Sequence, residues 1–126
     1  MTSYLALVNG RMANQTFPYD LVLFFPGNPG PSALLLSNPM VRAISFAVNF
    51  AGSQATCGTS PTNATAIEIL KNGVSVGLLS FAAGATVGVF TGAAVTFVIG
   101  DILSFRASAT YDPTFADIGP TMTGTR

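Results

Sequence analysis

The sequence predicts an all-β protein, an antiparallel, jelly-roll-like β-sandwich of about eight short strands. Three observations favour this fold class. Runs rich in Val, Ile, Phe and Thr recur along the chain, and these residue types fit a pleated, half-buried surface. Turn-forming residues separate the runs at close intervals. No long stretch shows a clean 3.6-residue apolar period, so we expect little or no helix.

The individual strands are predicted from the alternation of apolar side chains with small or polar ones. The clearest case covers residues 42–50, where Ile44, Phe46, Val48 and Phe50 fall on one face. The complete set of predicted strands is residues 21–25, 33–36, 42–50, 66–71, 74–76, 86–90, 95–99, 102–107 and 114–118.

Glycine, proline and polar residues predict the connections between these strands. Asn72-Gly73 lies between two alternating runs and predicts a type I′ hairpin turn, which needs positive φ at both central residues. Gly100-Asp101 predicts a second turn, and residues 25–31 and 52–63 are predicted loops. The last predicted strand leads to Gly119-Pro120 and a short tail.

The chain divides into a predicted N-terminal arm, residues 1–17, and a predicted β-sandwich domain, residues 18–126. The arm is polar and lacks a sustained pattern, so we expect it to be loosely structured, either frayed or docked on a neighbouring subunit. Its first residues show no basic segment followed by an apolar one. We therefore expect no secretory signal and synthesis in the cytoplasm.

The composition indicates a protein that works inside an assembly. Hydrophobic residues make up 49% of the chain, whereas charged residues make up only 8%. Soluble domains carry about 25% charged residues, so this surface must consist largely of Ser, Thr, Asn and Gly. The net charge is zero and no basic patch is visible, which argues against nucleic-acid binding.

The residues that catalysis most often uses are scarce. The chain has no histidine, which removes the commonest general base and the commonest metal ligand. Cys57 is the only cysteine, so it forms no intrachain disulfide and is interpreted as a small neutral filler. We therefore expect no enzyme activity, no catalytic residue, no cofactor and no metal site.

Three acidic residues near predicted strand ends, Asp101, Asp112 and Asp117, allow two interpretations. They could supply oxygen ligands to Ca²⁺. Alternatively, Asp101 and Asp112 stabilise turns through their side chains, and Asp117 is a solvated strand residue. Their spacing matches no calcium-loop template, which favours the second interpretation. Glu68 alternates with isoleucines, so it should face solvent or pair with a cross-strand cation.

Two further patterns relate to carbohydrate. Tyr19, Phe24, Phe25 and Tyr111 could form an exposed aromatic ledge on which a sugar ring stacks, although core packing explains whichever of Phe24 and Phe25 faces inward. Glycosylation triplets begin at Asn14 and Asn63. Such triplets arise often by chance, and without a secretory signal we give them no weight.

A membrane helix is the main alternative to the β interpretation. Residues 72–100 carry no charge and are long enough to cross a bilayer, and Gly84, Gly88 and Gly92 have the spacing of packed membrane helices. However, glycine and hydroxyl residues interrupt the stretch, and its local period is two. The sequence therefore favours strands and no membrane insertion.

An ordered series of short motifs extends from Pro18 to Arg126 and resembles a module found at the ends of bacteriophage tail and baseplate proteins. The motifs are Pro18-Tyr19-Asp20-Leu21, Phe24-Phe25-Pro26-Gly27, Ala51-Gly52-Ser53-Gln54-Ala55, the run from Ala64 to Gly73, Gly77, the run from Phe81 to Thr86, Gly100-Asp101, the run from Ala107 to Thr110, Ala116-Asp117-Ile118 and Gly124-Thr125-Arg126.

The resemblance implies a β-sandwich on the virion exterior that serves tail-tip structure or host-surface attachment. We therefore expect a tail-fibre or tail-tip subunit, assembled as a homotrimer with other virion proteins, that contacts a host surface glycan or protein. The alternative is a capsid decoration protein that cements the head. The resemblance carries over no catalytic, cofactor or receptor-contact residue.

Overall fold

The computed structural model describes residues 7–8, 11–12 and 16–126. Apart from one 3₁₀ turn at Val48–Phe50, the regular structure in this part of the chain is β-strand. The strands are β1 (Leu7–Val8), β2 (Arg11–Met12), β3 (Pro18–Val22), β4 (Leu34–Pro39), β5 (Ile44–Phe46), β6 (Gln54–Thr59), β7 (Thr65–Lys71), β8 (Val74–Phe81), β9 (Val89–Thr91), β10 (Val95–Phe97), β11 (Ile102–Arg106) and β12 (Ala116–Thr125).

Most of these strands form two five-stranded antiparallel sheets. In the first sheet β12 is central, with β3 on one side and β6 and β5 on the other, and β10 pairs with β5. The second sheet has the order β4-β11-β7-β8-β9. The prediction of an all-β antiparallel sandwich is confirmed, although the described residues contain twelve strands where about eight were expected.

The hydrophobic core contains buried side chains from both sheets. Phenylalanine rings form much of it: the centroid of Phe46 lies 5.4 Å from that of Phe50 and 5.8 Å from that of Phe97. Phe81 and Phe115 form a second pair at 5.1 Å. Tilted and edge-to-face contacts at these distances are the favoured arrangements of aromatic rings. Burial of these rings is therefore the main force that holds the two layers together.

The predicted hairpin at Asn72-Gly73 is confirmed. Asn72 has φ 50° and Gly73 has φ 83°, and Lys71 pairs directly with Val74. Two central residues with positive φ give the turn the twist of the flanking strands. The uncharged stretch 72–100 accordingly contains β8, β9 and β10. No helix among the described residues is long and apolar enough to cross a membrane.

Strand β6 lies inside the segment that was predicted to be a polar loop. Ala55 and Cys57 are buried, whereas Gln54 and Thr56 are exposed, so the segment does alternate. Its inward residues are small and its outward residues are polar. The mean hydropathy of the segment is therefore low, and the strand is not evident from it. That prediction was wrong because a strand needs a consistent direction of burial rather than large apolar residues.

Strand β12 continues through Gly119-Pro120, where the sequence predicted a tail. Proline lacks an N–H group and is normally excluded from central strands. On the β6 side Pro120 pairs with Ala55. The Ala55 carbonyl accepts its hydrogen bond from Gly88 N–H and not from β12, so this pair does not require an N–H group on Pro120. On the other side Pro120 O still accepts from Leu23 N–H at 2.9 Å. Proline therefore removes only one ladder bond.

The alternation predicted for residues 42–50 holds only in part. Ile44, Phe46 and Phe50 are buried as expected, but Val48 is 57% exposed. Asn49 adopts φ 57°, which converts the end of the predicted strand into the 3₁₀ turn and rotates Val48 outward. Most of the predicted N-terminal arm, residues 1–17, lies outside the described residues. In the described part of the arm, β1 pairs with β2.

Candidate functional site

Asp101 stabilises the turn that precedes β11. Its Oδ2 accepts from Val98 N–H at 2.9 Å and its Oδ1 accepts from Asn72 Nδ2 at 2.9 Å. Lys71 Nζ lies 3.8 Å from Oδ2. The bond from Val98 and then the bond from Asn72 lower the pKa of Asp101. This carboxylate therefore links the turn to the β7–β8 hairpin.

Asp112 connects two loops at the opposite end of β7. Its Oδ2 accepts from the backbone N–H groups of Thr62 and Asn63 at 2.8 and 3.1 Å, and its Oδ1 accepts from Thr114 N–H at 3.0 Å. Desolvation raises the pKa of Asp112. The hydrogen bonds from Asn63, Thr114 and Thr62 outweigh that effect and lower the pKa to about 2.

Asp117 lies at an irregular position in β12, with φ 60°. Its Oδ1 accepts from Gly27 N–H at 2.7 Å, and its own N–H donates to Gly27 O at 3.1 Å. The three predicted acidic residues thus bind three different backbone segments. Within the described part of the chain, no group of three or more His, Cys, Asp or Glu residues could hold a metal. Asp101 and Asp112 therefore stabilise turns, as the second interpretation predicts, whereas Asp117 binds the backbone of Gly27 and is not simply a solvated strand residue.

The other predicted side chains are also separated. Glu68 is half-buried, and the strand register places Arg106 opposite it. Lys71–Asp101 is the ion pair found in residues 16–126, so the predicted cross-strand pair of Glu68 is not formed there. Tyr19 and Phe25 pack against the core, whereas Phe24 and Tyr111 are exposed. The four rings therefore do not form one ledge. Of the two glycosylation triplets, only that of exposed Asn63 begins among the described residues.

The outward side of the first sheet forms a distinct surface, which we call the hydroxyl face. Its residues alternate with the buried residues of β12, β3, β6, β5 and β10 and are mostly short and polar. One acidic side chain is included and no basic one. The hydroxyl face consists of Asp20, Ser45, Gln54, Thr56, Thr96, Thr121, Thr123 and Thr125.

Two shallow depressions adjoin each other on the hydroxyl face. The first has a volume of about 410 Å³ and is lined by Asp20, Gly52, Gln54, Thr121 and Thr123. The second has a volume of about 380 Å³ and is lined by Pro18, Ser45, Phe46, Ala47, Ala51, Thr123, Gly124 and Thr125. Thr123 belongs to both linings, so the two depressions meet at this residue, and we refer to them together as the groove.

Gly52 lines the first depression, where the Thr123 side chain packs closely against its backbone. A side chain there would place its Cβ 2.9 Å from Cγ2 of Thr123, and the φ of +90° disfavours any residue other than glycine. The Thr123 methyl group therefore occupies the space that a side chain at position 52 would need. Any residue other than glycine there would displace a side chain that lines the depression.

The polar groups in the first depression are available to a ligand. Asp20 Oδ1 accepts from the Thr123 hydroxyl at 2.5 Å. Neither Asp20 Oδ2 nor the Gln54 side-chain amide has a hydrogen-bond partner in residues 16–126. Two exposed apolar side chains lie on the same face: Val22, the last residue of β3, pairs with Thr121 and is 78% exposed, and Phe24, which follows β3, lies next to Gly119 and is 56% exposed. Acceptors, donors and an apolar margin thus lie side by side.

A second surface lies where three turns meet at one end of the sandwich. Gly100 N–H donates to Met40 O at 2.8 Å, and Asn72 N–H donates to Ile102 O at 2.9 Å. These two hydrogen bonds hold the three turns together. Five aliphatic side chains there are from 41% to 72% exposed. We call this surface the aliphatic end, and it consists of Val41, Val74, Val98, Ile99 and Ile102.

The groove could not be predicted from the sequence, because β6 lies in a predicted loop and most of β12 lies in the predicted tail. The alternation of Thr121, Thr123 and Thr125 with Pro120 and Met122 was the available signal. It went unrecognised because Gly119-Pro120 was interpreted as a strand end. Comparisons of the chain with protein-family models, with curated proteins and with solved structures find no match.

Proposed function

We propose that this chain is a structural subunit of a bacteriophage tail that takes part in attachment to the host surface. The observation that carries the proposal is the groove on the hydroxyl face, where unpaired polar groups lie beside exposed Val22 and Phe24. The ordered motif resemblance from Pro18 onward adds independent support for a virion location.

Binding rather than catalysis fits the chemistry of the side chains. The chain has no histidine, and Asp101, Asp112 and Asp117 accept hydrogen bonds from backbone groups that they hold in place. Such carboxylates stabilise loops and are poorly suited to proton transfer, since a general base works best with a pKa near the operating pH. We infer that the protein acts as a non-enzymatic binding module.

Assembly into a larger particle is supported by the aliphatic end. Contiguous exposed apolar residues on a soluble protein commonly mark an interaction site. In a homotrimer or against another virion protein, Val41, Val98 and Ile99 would lose their contact with water. The neutral, weakly charged surface is also favourable for close contacts between subunits.

Adsorption measurements test the attachment function. Purified protein at saturating concentration should reduce phage adsorption to host cells, and antibody against it should do the same to intact virions. A protein that is present in virions but changes adsorption in neither assay would contradict a role in attachment. Its absence from purified virions would contradict the virion assignment as a whole.

Capsid decoration remains the second candidate, because the aliphatic end would serve equally well to bind the surface of a head. Copy number separates the two locations. Quantitative gel densitometry of whole virions should give a few to some tens of copies for a tail subunit. Hundreds of copies would indicate decoration and would overturn the tail location.

A further inference from the structure

We propose that the groove on the hydroxyl face binds a neutral oligosaccharide. The inference deepens the proposed attachment function by naming the chemical class of the ligand and the residues that bind it. It depends on a combination of features in one place: a free carboxylate oxygen, a free amide, hydroxyl groups, and apolar side chains at the margin.

The polar groups match the hydroxyl groups of a sugar. Asp20 Oδ2 can accept hydrogen bonds only, whereas the Gln54 amide can donate and accept. Sugar hydroxyl groups also do both, so one hydroxyl can donate to Asp20 while another accepts from Gln54. The register places Gln54 directly opposite Thr121, and Asp20 opposite Thr123, so these four side chains lie on adjacent rows of one sheet.

The apolar margin matches the C–H face of a pyranose ring. Phe24 lies next to Gly119, where the ring atom Cδ1 is 3.5 Å from the position that a Cβ would occupy. The Phe24 side chain is 56% exposed, so part of its ring is accessible to a ligand. The negative face of an aromatic ring attracts weakly positive C–H groups. Val22, the last residue of β3, lies between Asp20 and Phe24 along the chain and extends this apolar margin.

Charge determines which sugars fit. The linings of both depressions contain one acidic residue, Asp20, and no lysine or arginine. A phosphorylated or carboxylated sugar would place a negative charge beside Asp20 without a cation to compensate for it. The groove therefore favours neutral sugars. Because the two depressions share Thr123, the ligand is an oligosaccharide that extends from one depression into the next.

The test is a titration of the full chain followed by amide resonances in heteronuclear NMR spectra. The probes are neutral trisaccharides of glucose, galactose, mannose, rhamnose and N-acetylglucosamine, with trigalacturonic acid as the acidic comparison. At least one neutral trisaccharide should shift the resonances of Asp20, Gln54, Thr121 and Thr123. Binding by none of them, or by the acidic trisaccharide alone, would overturn the proposal.

Two variants and one control locate the binding site. Asp20→Asn and Gln54→Ala should each weaken binding about tenfold, which is the effect of one charge-assisted or well-placed hydrogen bond. Asp20→Asn keeps an oxygen that can accept from Thr123, and Gln54 is exposed, so both variants should fold. Glu68→Gln removes a carboxylate from the other sheet and should bind like the wild type.

The remaining outcomes also decide the question. Unchanged affinity in both groove variants would overturn the proposed site. Resonance shifts at these residues that depend on protein concentration and not on sugar would also overturn it, because a second copy of the chain would then cover the groove. Saccharide binding and adsorption are measured separately. A protein that blocks adsorption without binding any neutral saccharide retains the attachment function and loses this inference alone.

Discussion

Individual residues in this protein stabilise loops more than they create chemistry, and Asp112 is the clearest example. Its hydrogen bonds lower the pKa from 3.8 to about 2. A carboxylate with a lower pKa in the folded than in the unfolded state stabilises the fold at pH values above the unfolded pKa. That contribution is lost as the pH falls through the folded value. The relevant window is therefore from 3.8 down to about 2.

We predict that Asp112→Asn lowers stability at neutral pH and reduces the loss of stability across this acid window. Asparagine has one acceptor oxygen in place of two, so the bonds from Thr62 and Asn63 or those from Thr114 are lost. Urea denaturation of both proteins at neutral pH and at points within the window measures the effect. Glu68→Gln controls for the removal of one negative charge. Parallel pH profiles for wild type and Asp112→Asn would contradict the prediction.

Gly77 illustrates a steric requirement at a single position. A Cβ there would lie 2.6 Å from Cε2 of Phe50 and 2.6 Å from the backbone oxygen of Thr91. Because a backbone atom cannot rotate away, Gly77→Ala should destabilise the protein by about 1–3 kcal/mol, which is typical of overpacking. Gly30→Ala is the matched control, since nothing lies within 4 Å of its Cβ position. Chemical denaturation should separate the two variants, and equal stability would contradict the steric argument.

At the level of elements, the β7–β8 hairpin is connected to its neighbour by Asn72. The Asn72 Nδ2 group donates to Asp101, and its Oδ1 accepts from Ile102 N–H at 2.9 Å. Its φ of 50° lies in the left-handed region, which asparagine and glycine tolerate better than alanine does. The residue therefore contributes both a backbone conformation and a link between two turns.

Two substitutions at Asn72 should separate these contributions. Asn72→Gly keeps the positive φ but loses the side-chain bonds, so we expect a loss of about 1 kcal/mol. Asn72→Ala loses the side-chain bonds and also forces alanine into the left-handed region, which should lower the stability by about 1 kcal/mol more. Thermal and urea denaturation of the two variants measure the difference. Equal stability of the two would show that backbone strain contributes nothing at this turn.

The strands that the sequence predicted correctly are those in which local signals agree. The β7–β8 hairpin has alternation on both sides and a turn dipeptide between them, so its place in the fold could be read directly. Strand β6 and the part of β12 after Ile118 could not be read in this way, because Ala55, Cys57 and Pro120 carry no strand signal of their own. Their pairing with each other stabilises both strands, and sequence windows do not capture such non-local contacts.

The same limit applies to the candidate site. Asp20 and Gln54 are distant in the chain and lie on opposite sides of β12, so only the complete first sheet brings them to one groove. The predicted aromatic ledge failed for a related reason. Successive residues of a strand face opposite sides, so Phe24 and Phe25 cannot contribute to the same surface.

At the scale of the whole molecule, the two sheets are joined by more than their shared core. Cys57 N–H donates to Thr86 O at 2.9 Å, and Gly88 N–H donates to Ala55 O at 2.9 Å. Residues 86–88 lead into β9, so these bonds connect β6 of the first sheet to the margin of the second. Opening of the sandwich at this margin requires both backbone bonds and core contacts to break. The two layers should therefore unfold as one cooperative unit.

Cys57 provides a direct test of this cooperativity. Its side chain is buried at 6% exposure, its Sγ lies 3.6 Å from Ala85 O, and burial raises its pKa. Both the burial and the low thiolate fraction should make Cys57 unreactive toward a disulfide reagent such as dithionitrobenzoate in native buffer. With increasing urea, the fraction of reactive thiol should rise at the same midpoint as the loss of the β-sheet circular dichroism signal. Rapid, complete labelling below the unfolding transition would instead mean that residues 86–88 separate from β6 locally while the rest of the sandwich stays folded.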